Sequence, residues 1–147
     1  MYYSLIGIPL IIILDQWSKY WAVTHCTMPN DILPFVTCHL VFNRGTTWSL
    51  FATDNVYYYA LLCSIIALIL IIAAWYLLRQ RDWQVQLASI GIIGGGLSNL
   101  IDRLLYPGVA DFIDLHSGQY HWPTTFNIAD CAITIGIIAL LWRELRA

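Results

Sequence analysis

The chain has 147 residues, 59% of them hydrophobic and 11% charged, with a formal net charge of -2 at pH 7. Soluble domains carry about 25% charged residues, so this composition excludes an ordinary water-soluble globule and points to the membrane class. The negative balance also excludes a nucleic-acid binder resting on a basic surface.

A helix that crosses about 30 Å of hydrocarbon needs about 20 apolar residues at about 1.5 Å each. The sequence predicts four such spans within one domain, 1–147, at about 3–23, 57–78, 85–105 and 126–142, with long loops at 24–56 and 106–125. The first span lacks the basic leader and small-residue cleavage site of a signal peptide, and Asp15 interrupts it. Trp17, Tyr20 and Trp21 near its far end read as an interfacial aromatic belt. The loop after it carries Cys26 and Cys38, which an oxidising compartment permits to pair; their spacing leaves the pairing open. The second span has no charged side chain and reads as scaffold. In the third, Gly91 and Gly95 form a small-xxx-small spacing that predicts close helix packing. Cys63 and Cys131 fall within spans and read as small packing residues. Arg79 and Arg81 lie between spans two and three, and Arg143 and Arg146 near the end of the chain, whereas the long loops hold only Arg44. The positive-inside rule therefore puts both termini in the cytoplasm and both long loops outside.

Charged groups inside such spans need a reason, since each costs roughly 2.5–3.5 kcal/mol near the bilayer centre. Counted from the inner boundary, Asp15 rises about 18 Å, Lys19 about 24 Å, Asn99 about 21 Å and Asp102 about 25 Å, while Asp130 lies about 6 Å below the outer rim. Three helices thus bring polar groups to one depth, which predicts one pocket. Asp15 with Lys19, and Asp102 with Arg103, read as ion pairs that orient helices. Asp130 has no basic residue within four positions on either side, so its carboxyl requires a partner from elsewhere or a raised pKa. The second long loop offers Asp111 and Asp114. Two carboxyls held together share a proton, so one serves as base and the other as acid, which is enough to hydrolyse a peptide bond with water.

Five blocks, taken in order, resemble the lipoprotein signal peptidases (signal peptidase II), bacterial membrane aspartyl proteases. They are Asp15-Gln16-Trp17-Ser18-Lys19; Asn43-Arg44-Gly45 running to Trp48-Ser49-Leu50; Gly95-Gly96-Leu97-Ser98-Asn99-Leu100-Ile101-Asp102-Arg103; Gly108-Val109-Ala110-Asp111-Phe112-Ile113-Asp114; and His121-Trp122-Pro123 leading into Phe126-Asn127-Ile128-Ala129-Asp130. The resemblance implies an all-α integral membrane protein with four transmembrane helices, a small extracytoplasmic β element and a short amphipathic segment, the last two expected in loop 24–56. It implies Asp111 and Asp130 as the catalytic pair. Supporting or substrate-binding roles fall to Asp15, Lys19, Asn43, Gly45, Asn99, Asp102, Arg103 and Asn127, with no metal and no cofactor. The implied activity is removal of signal peptides from diacylglyceryl-modified prolipoproteins, just before the lipidated cysteine. That places the protein in the bacterial inner membrane as a multi-pass monomer among membrane lipids, with its active site facing the outer side. Ser98 stands where the family usually has glycine, and Thr47 and Trp48 where it has alanine and phenylalanine; these departures bear on the shape of the cleft.

Three other readings compete. Asp111, Asp114, His116 and His121 contain zinc-ligand types, though without helical ligand spacing. A transporter also uses intramembrane carboxylates, but near the midplane between repeated halves, and no repeat is visible. A silent binder of lipidated segments would not need the carboxyl pair. Asp114 itself reads as a cap or a loop-holding residue. The sequence leaves open which of Asp111 and Asp130 is the base.

Overall fold

The computed structural model describes residues 2–46, 49–118 and 120–146. In chain order the elements are α1 (Tyr2–His25), β1 (Asn30–Leu33), β2 (Val36–Asn43), α2 (Val56–Leu77), α3 (Trp83–Leu105), β3 (Val109–Ser117), β4 (Tyr120–His121) and α4 (Ile128–Glu144). The helices start where short polar side chains can take up orphan backbone N–H groups. Asn55 accepts from the N–H groups of Tyr57 and Tyr58, and Asp82 accepts from that of Gln84. At α4, Asn127 and Asp130 form a reciprocal capping box, so the helix begins at Ile128 rather than at residue 126.

α3 is the central helix and packs against α1, α2 and α4. Its glycines set the distance to α4. A Cβ on Gly95 would meet the Ala129 carbonyl oxygen at 2.5 Å, and one on Gly136 of α4 would meet that of Ala88 at 2.6 Å. The small-residue spacing is thus a packing device, as its period predicts.

Burial is inverted relative to a soluble protein. Ile65, Leu68, Ile69, Ile71 and Ile72 of α2 face outward, whereas Lys19, Asn127, Asp15 and Asp102 are among the largest fully buried side chains. That is the arrangement expected when lipid rather than water is the solvent. Two of the four long helices, Val56–Leu77 and Trp83–Leu105, are long and apolar enough by length and composition to cross a membrane. α1 carries Asp15, Gln16 and Lys19 within it, and α4 has 17 residues. Trp17, Tyr20 and Trp21 lie exposed toward the end of α1. Cys63 is half-buried, while Cys131 is exposed, so only the former fits a packing role.

The all-α expectation is too narrow, because the strands form one antiparallel run in the order β1-β2-β3-β4. Nor is the β element confined to loop 24–56: β3 and β4 come from the second long loop. A two-stranded hairpin is marginal by itself, and β3 completes it by pairing along β2 from Val36↔Leu115 to Asn43↔Val109, with an irregularity between Cys38 and Val41. The amphipathic segment expected in loop 24–56 does not appear as a named helix among the described residues, which make bends and turns between β2 and α2. Thr47 and Trp48, the two departures in that block, lie outside the described residues. Cys26, just past α1, is disulfide-bonded to Cys38 on β2 and packs with Ala22 and Phe112. The sheet is thereby fastened to the end of α1.

Candidate active site

β3 and the approach to α4 are joined by the backbone. Phe112 and Ile113 both donate to the Phe126 carbonyl, and Phe126 donates back to Ile113. This brings the Asn127 cap and Asp130 against Asp111, 19 positions away in sequence. Asp111 is 2% exposed, while Asp130 is half-buried.

Three asparagines serve the two carboxyls. Asn127 Nδ2 donates to Asp111 Oδ1 at 2.7 Å, and Asn43 Nδ2 to Asp111 Oδ2 at 3.2 Å. Asn99 Nδ2 donates to Asp130 Oδ1 at 2.8 Å, and the Asn127 backbone N–H to Asp130 Oδ2 at 3.2 Å. Every oxygen of both carboxyls therefore accepts from an N–H. Each asparagine is held in that orientation by a donor on its own oxygen that cannot reverse. For Asn43 this is the Gly45 N–H at 2.8 Å, for Asn127 the Asp130 N–H at 2.9 Å, and for Asn99 the Lys19 ammonium at 2.7 Å.

Behind this layer lies a buried ionic cluster. Lys19 Nζ sits 2.7 Å from Asp15 Oδ2 and 2.8 Å from Asp102 Oδ2. Asp15 also accepts from the Ala129 N–H, at the start of α4, and from Ser98 Oγ, both at 2.7 Å. Asp102 accepts from the Ala110 N–H at 3.0 Å and from Gln16 Nε2 at 2.7 Å. The two carboxylates thus hold the backbone immediately before Asp111 and Asp130. Burying these charges is tolerable because each is paired and its remaining lone pairs are filled.

The Asp15–Lys19 pair is present as predicted, but the Asp102–Arg103 pair is not. Adjacent helical residues point in different directions, so Asp102 turns to Lys19. Arg103 donates to the backbone carbonyls of Asn99 and Gly45 at 2.9 and 2.8 Å. It fixes the loop at Gly45, just beyond Asn43 at the end of β2.

Gln16 and Ser98 were missed as members of the cluster. Ser98 is fully buried; its hydroxyl donates to Asp15 and accepts from Gln16 at 3.0 Å. The departure from glycine therefore falls between α1 and α3. Its signal in the sequence was a buried-span hydroxyl one position before Asn99. Asp114, three positions along a strand from Asp111, faces the other way. It meets His121 Nδ1 at 3.2 Å, and His121 stacks on His116, so Asp114 holds the β3–β4 hairpin. Among the described residues, no group of three or more His, Cys, Asp or Glu side chains could hold a metal ion.

Burial first, and then the charge of Asp130, push the Asp111 carboxyl up to about 7, against the opposing pull of Asn43, Lys19 and Asn127. At neutral pH, Asp111 can both hold and release a proton.

The chain matches the model of the signal peptidase (SPase) II family over residues 8–146. It is 43% identical over 138 residues to the lipoprotein signal peptidase of Blochmanniella pennsylvanica, covering 91% of this chain and 83% of that protein. It is 40% identical over 142 residues to the lipoprotein signal peptidase of Polynucleobacter necessarius, covering 93% and 85% respectively. A bacterial membrane enzyme solved by the in meso method at 2.3 Å resolution superposes with a TM-score of 0.84 at 27% identity, over 99% of this chain and 89% of its own. The sequence blocks, the fold and these matches agree: the chain belongs to the signal peptidase II family, whose members are bacterial membrane peptidases.

Proposed function

We propose that this protein is an aspartyl endopeptidase that removes signal peptides from diacylglyceryl-modified prolipoproteins, cleaving just before the lipidated cysteine. The observation that carries this reading is the convergence of Asp111 and Asp130 on Asn127, with all four carboxyl oxygens held by N–H donors. Two carboxyls so oriented are a water-activating pair.

Their surroundings distinguish the roles. Asp130 is in the first turn of α4, where the helix dipole favours negative charge. Asp111 is on a strand without that help and is the more deeply buried of the two, and burial together with the charge of Asp130 pushes its carboxyl up to about 7. Asp130 is therefore the base and Asp111 the acid. The Asp130 carboxylate takes a proton from water as the oxygen attacks the scissile carbonyl carbon, and Asp111 gives its proton to the carbonyl oxygen. As the tetrahedral species collapses, the C–N bond breaks. The amine leaves with the proton held by Asp130, and Asp111 recovers one from a hydroxyl.

In this reading all four long helices cross the bilayer, with both termini in the cytoplasm and the carboxyl pair near the outer surface. The Cys26–Cys38 disulfide supports an outward, oxidising location for the sheet. The whole chain acts as one domain and as a monomer. Asn43, Gly45 and Arg103 border the substrate, and membrane lipids surround the helices. Purified protein is offered the same precursor with and without diacylglyceryl on its cysteine. The reading expects a product beginning at the lipidated cysteine and little cleavage of the bare precursor. Equal cleavage of both would remove the lipid from the substrate definition.

A further inference from the structure

Lys19 is fully buried, as are both of its carboxylate partners. An ion-pairing lysine needs only those partners, yet this one makes a third bond, at 2.7 Å to Asn99 Oδ1. The consequence lies on the other side of the amide. An ammonium has only donors, so it fixes the Asn99 oxygen toward itself and turns the Asn99 NH2 toward Asp130. A reversed amide would set NH2 against the ammonium and oxygen against Asp130 Oδ1.

We propose that Lys19 is a positioning residue for the reaction: by fixing the Asn99 amide it keeps a hydrogen-bond donor on Asp130 and so keeps Asp130 the proton acceptor of the pair. This rests on the reading of Asp111 and Asp130 as the catalytic pair. The groups around the relay are few. Asp130 faces Asn99 of α3, the Asn127 N–H at its own helix start and Asp111 of β3, with Asp15 and Lys19 of α1 behind them. Lys19 faces Asp15 of its own helix and Asp102 and Asn99 of α3. Asn127 Nδ2 also reaches Asn99 Oδ1, at 3.2 Å, but it is shared with Asp111 and the Ala110 carbonyl. Lys19 is the short, charged contact that decides the amide's orientation.

Removing Lys19 alone would leave Asp15 and Asp102 facing one another, so the test is balanced in charge. Asp15, Lys19 and Asp102 together carry -1, and Lys19→Met/Asp102→Asn keeps -1 on Asp15. The pH dependence of kcat and KM for a lipidated precursor is compared with wild type, and thermal unfolding in the same detergent verifies folding. The folded double variant is expected to lose about tenfold or more in kcat. The acidic limb of its profile should move up by about one pH unit, with KM little changed. A folded variant with the wild-type acidic limb overturns the proposal. Asn99→Asp supplies a second test that leaves both Lys19 ion pairs intact while replacing the donor toward Asp130 by an oxygen. Its acidic limb should also rise, and a wild-type limb there overturns the proposal by itself, whether or not the double variant folds. Asp111→Asn and Asp130→Asn separate the two failures. If both still cleave, the catalytic pair is wrong; if both are inactive and the limbs above do not move, only the role of Lys19 is wrong.

Discussion

Replacing Asp111 by Asn should inactivate the protein yet stabilise it at alkaline pH. The carboxyl is raised from its ordinary value of 3.8 to about 7, first by burial and then by the charge of Asp130. A folded state with the higher pKa binds the proton more tightly than the unfolded chain. Stability is therefore greatest below the unfolded value, falls as pH rises from about 4, and has lost this contribution above about 7. Three units at about 1.36 kcal/mol each amount to about 4 kcal/mol at pH 8. The substitution removes that penalty but brings one of its own. An amide at position 111 can accept from Asn127, but its NH2 then confronts Asn43 Nδ2, and the 3.2 Å bond is lost. That loss costs about 1–2 kcal/mol. Asp111→Asn should thus be more stable than wild type by about 2–3 kcal/mol at pH 8 and less stable by about 1–2 kcal/mol at pH 4. Thermal unfolding in detergent at the two pH values reads the difference between the proteins. A variant less stable than wild type at both would refute the argument that burial raises this carboxyl.

With Asp111 as the acid of the proposed mechanism, cleavage should decline as pH rises through about 7, because that carboxyl loses the proton it would donate; a pH–rate profile flat to pH 9 would contradict this. Cys26→Ser/Cys38→Ser opens a loop closed over a separation of 12 residues and should lower stability by about 2–3 kcal/mol, with cleavage retained at low temperature. Denaturant unfolding with and without reductant checks it, and reductant should leave the double variant unchanged. Gly95→Val drives a side chain into the Ala129 carbonyl, one residue before Asp130, and should depress both stability and turnover. Ser98→Ala leaves Asp15 and Gln16 each short of one partner and should cost about 1–2 kcal/mol, whereas Ser98→Gly should be no milder.

The helices were legible because apolar length and capping residues act locally: the span predicted at 57–78 is Val56–Leu77, and that at 85–105 is Trp83–Leu105. The sheet was legible only as a loop element. β3 depends on pairing across more than 60 residues with β2, and its sequence interleaves Asp111, Asp114 and His116 with the apolar side chains. That Asp15, Asn99, Asp102 and Asp130 meet at one level could be counted, since rise per residue is fixed. Their partners could not. Helix spacing says which residues share a face but not which neighbouring helix that face meets, and so Lys19 rather than Arg103 holds Asp102. The disulfide was equally hidden, because it requires β2 to return to the end of α1. Which carboxyl is the base became arguable only when Asp130 was seen in the first turn of α4 and Asp111 on a buried strand.

The most direct test is a gel-shift assay of lipidated precursor cleavage by purified wild type, Asp111→Asn, Asp130→Asn and Asp114→Asn, each first shown to be folded. Loss of cleavage in the first two variants, with substantial activity in Asp114→Asn, is the predicted result. Turnover at the wild-type rate by either Asp111→Asn or Asp130→Asn would contradict a mechanism in which these two carboxyls activate water.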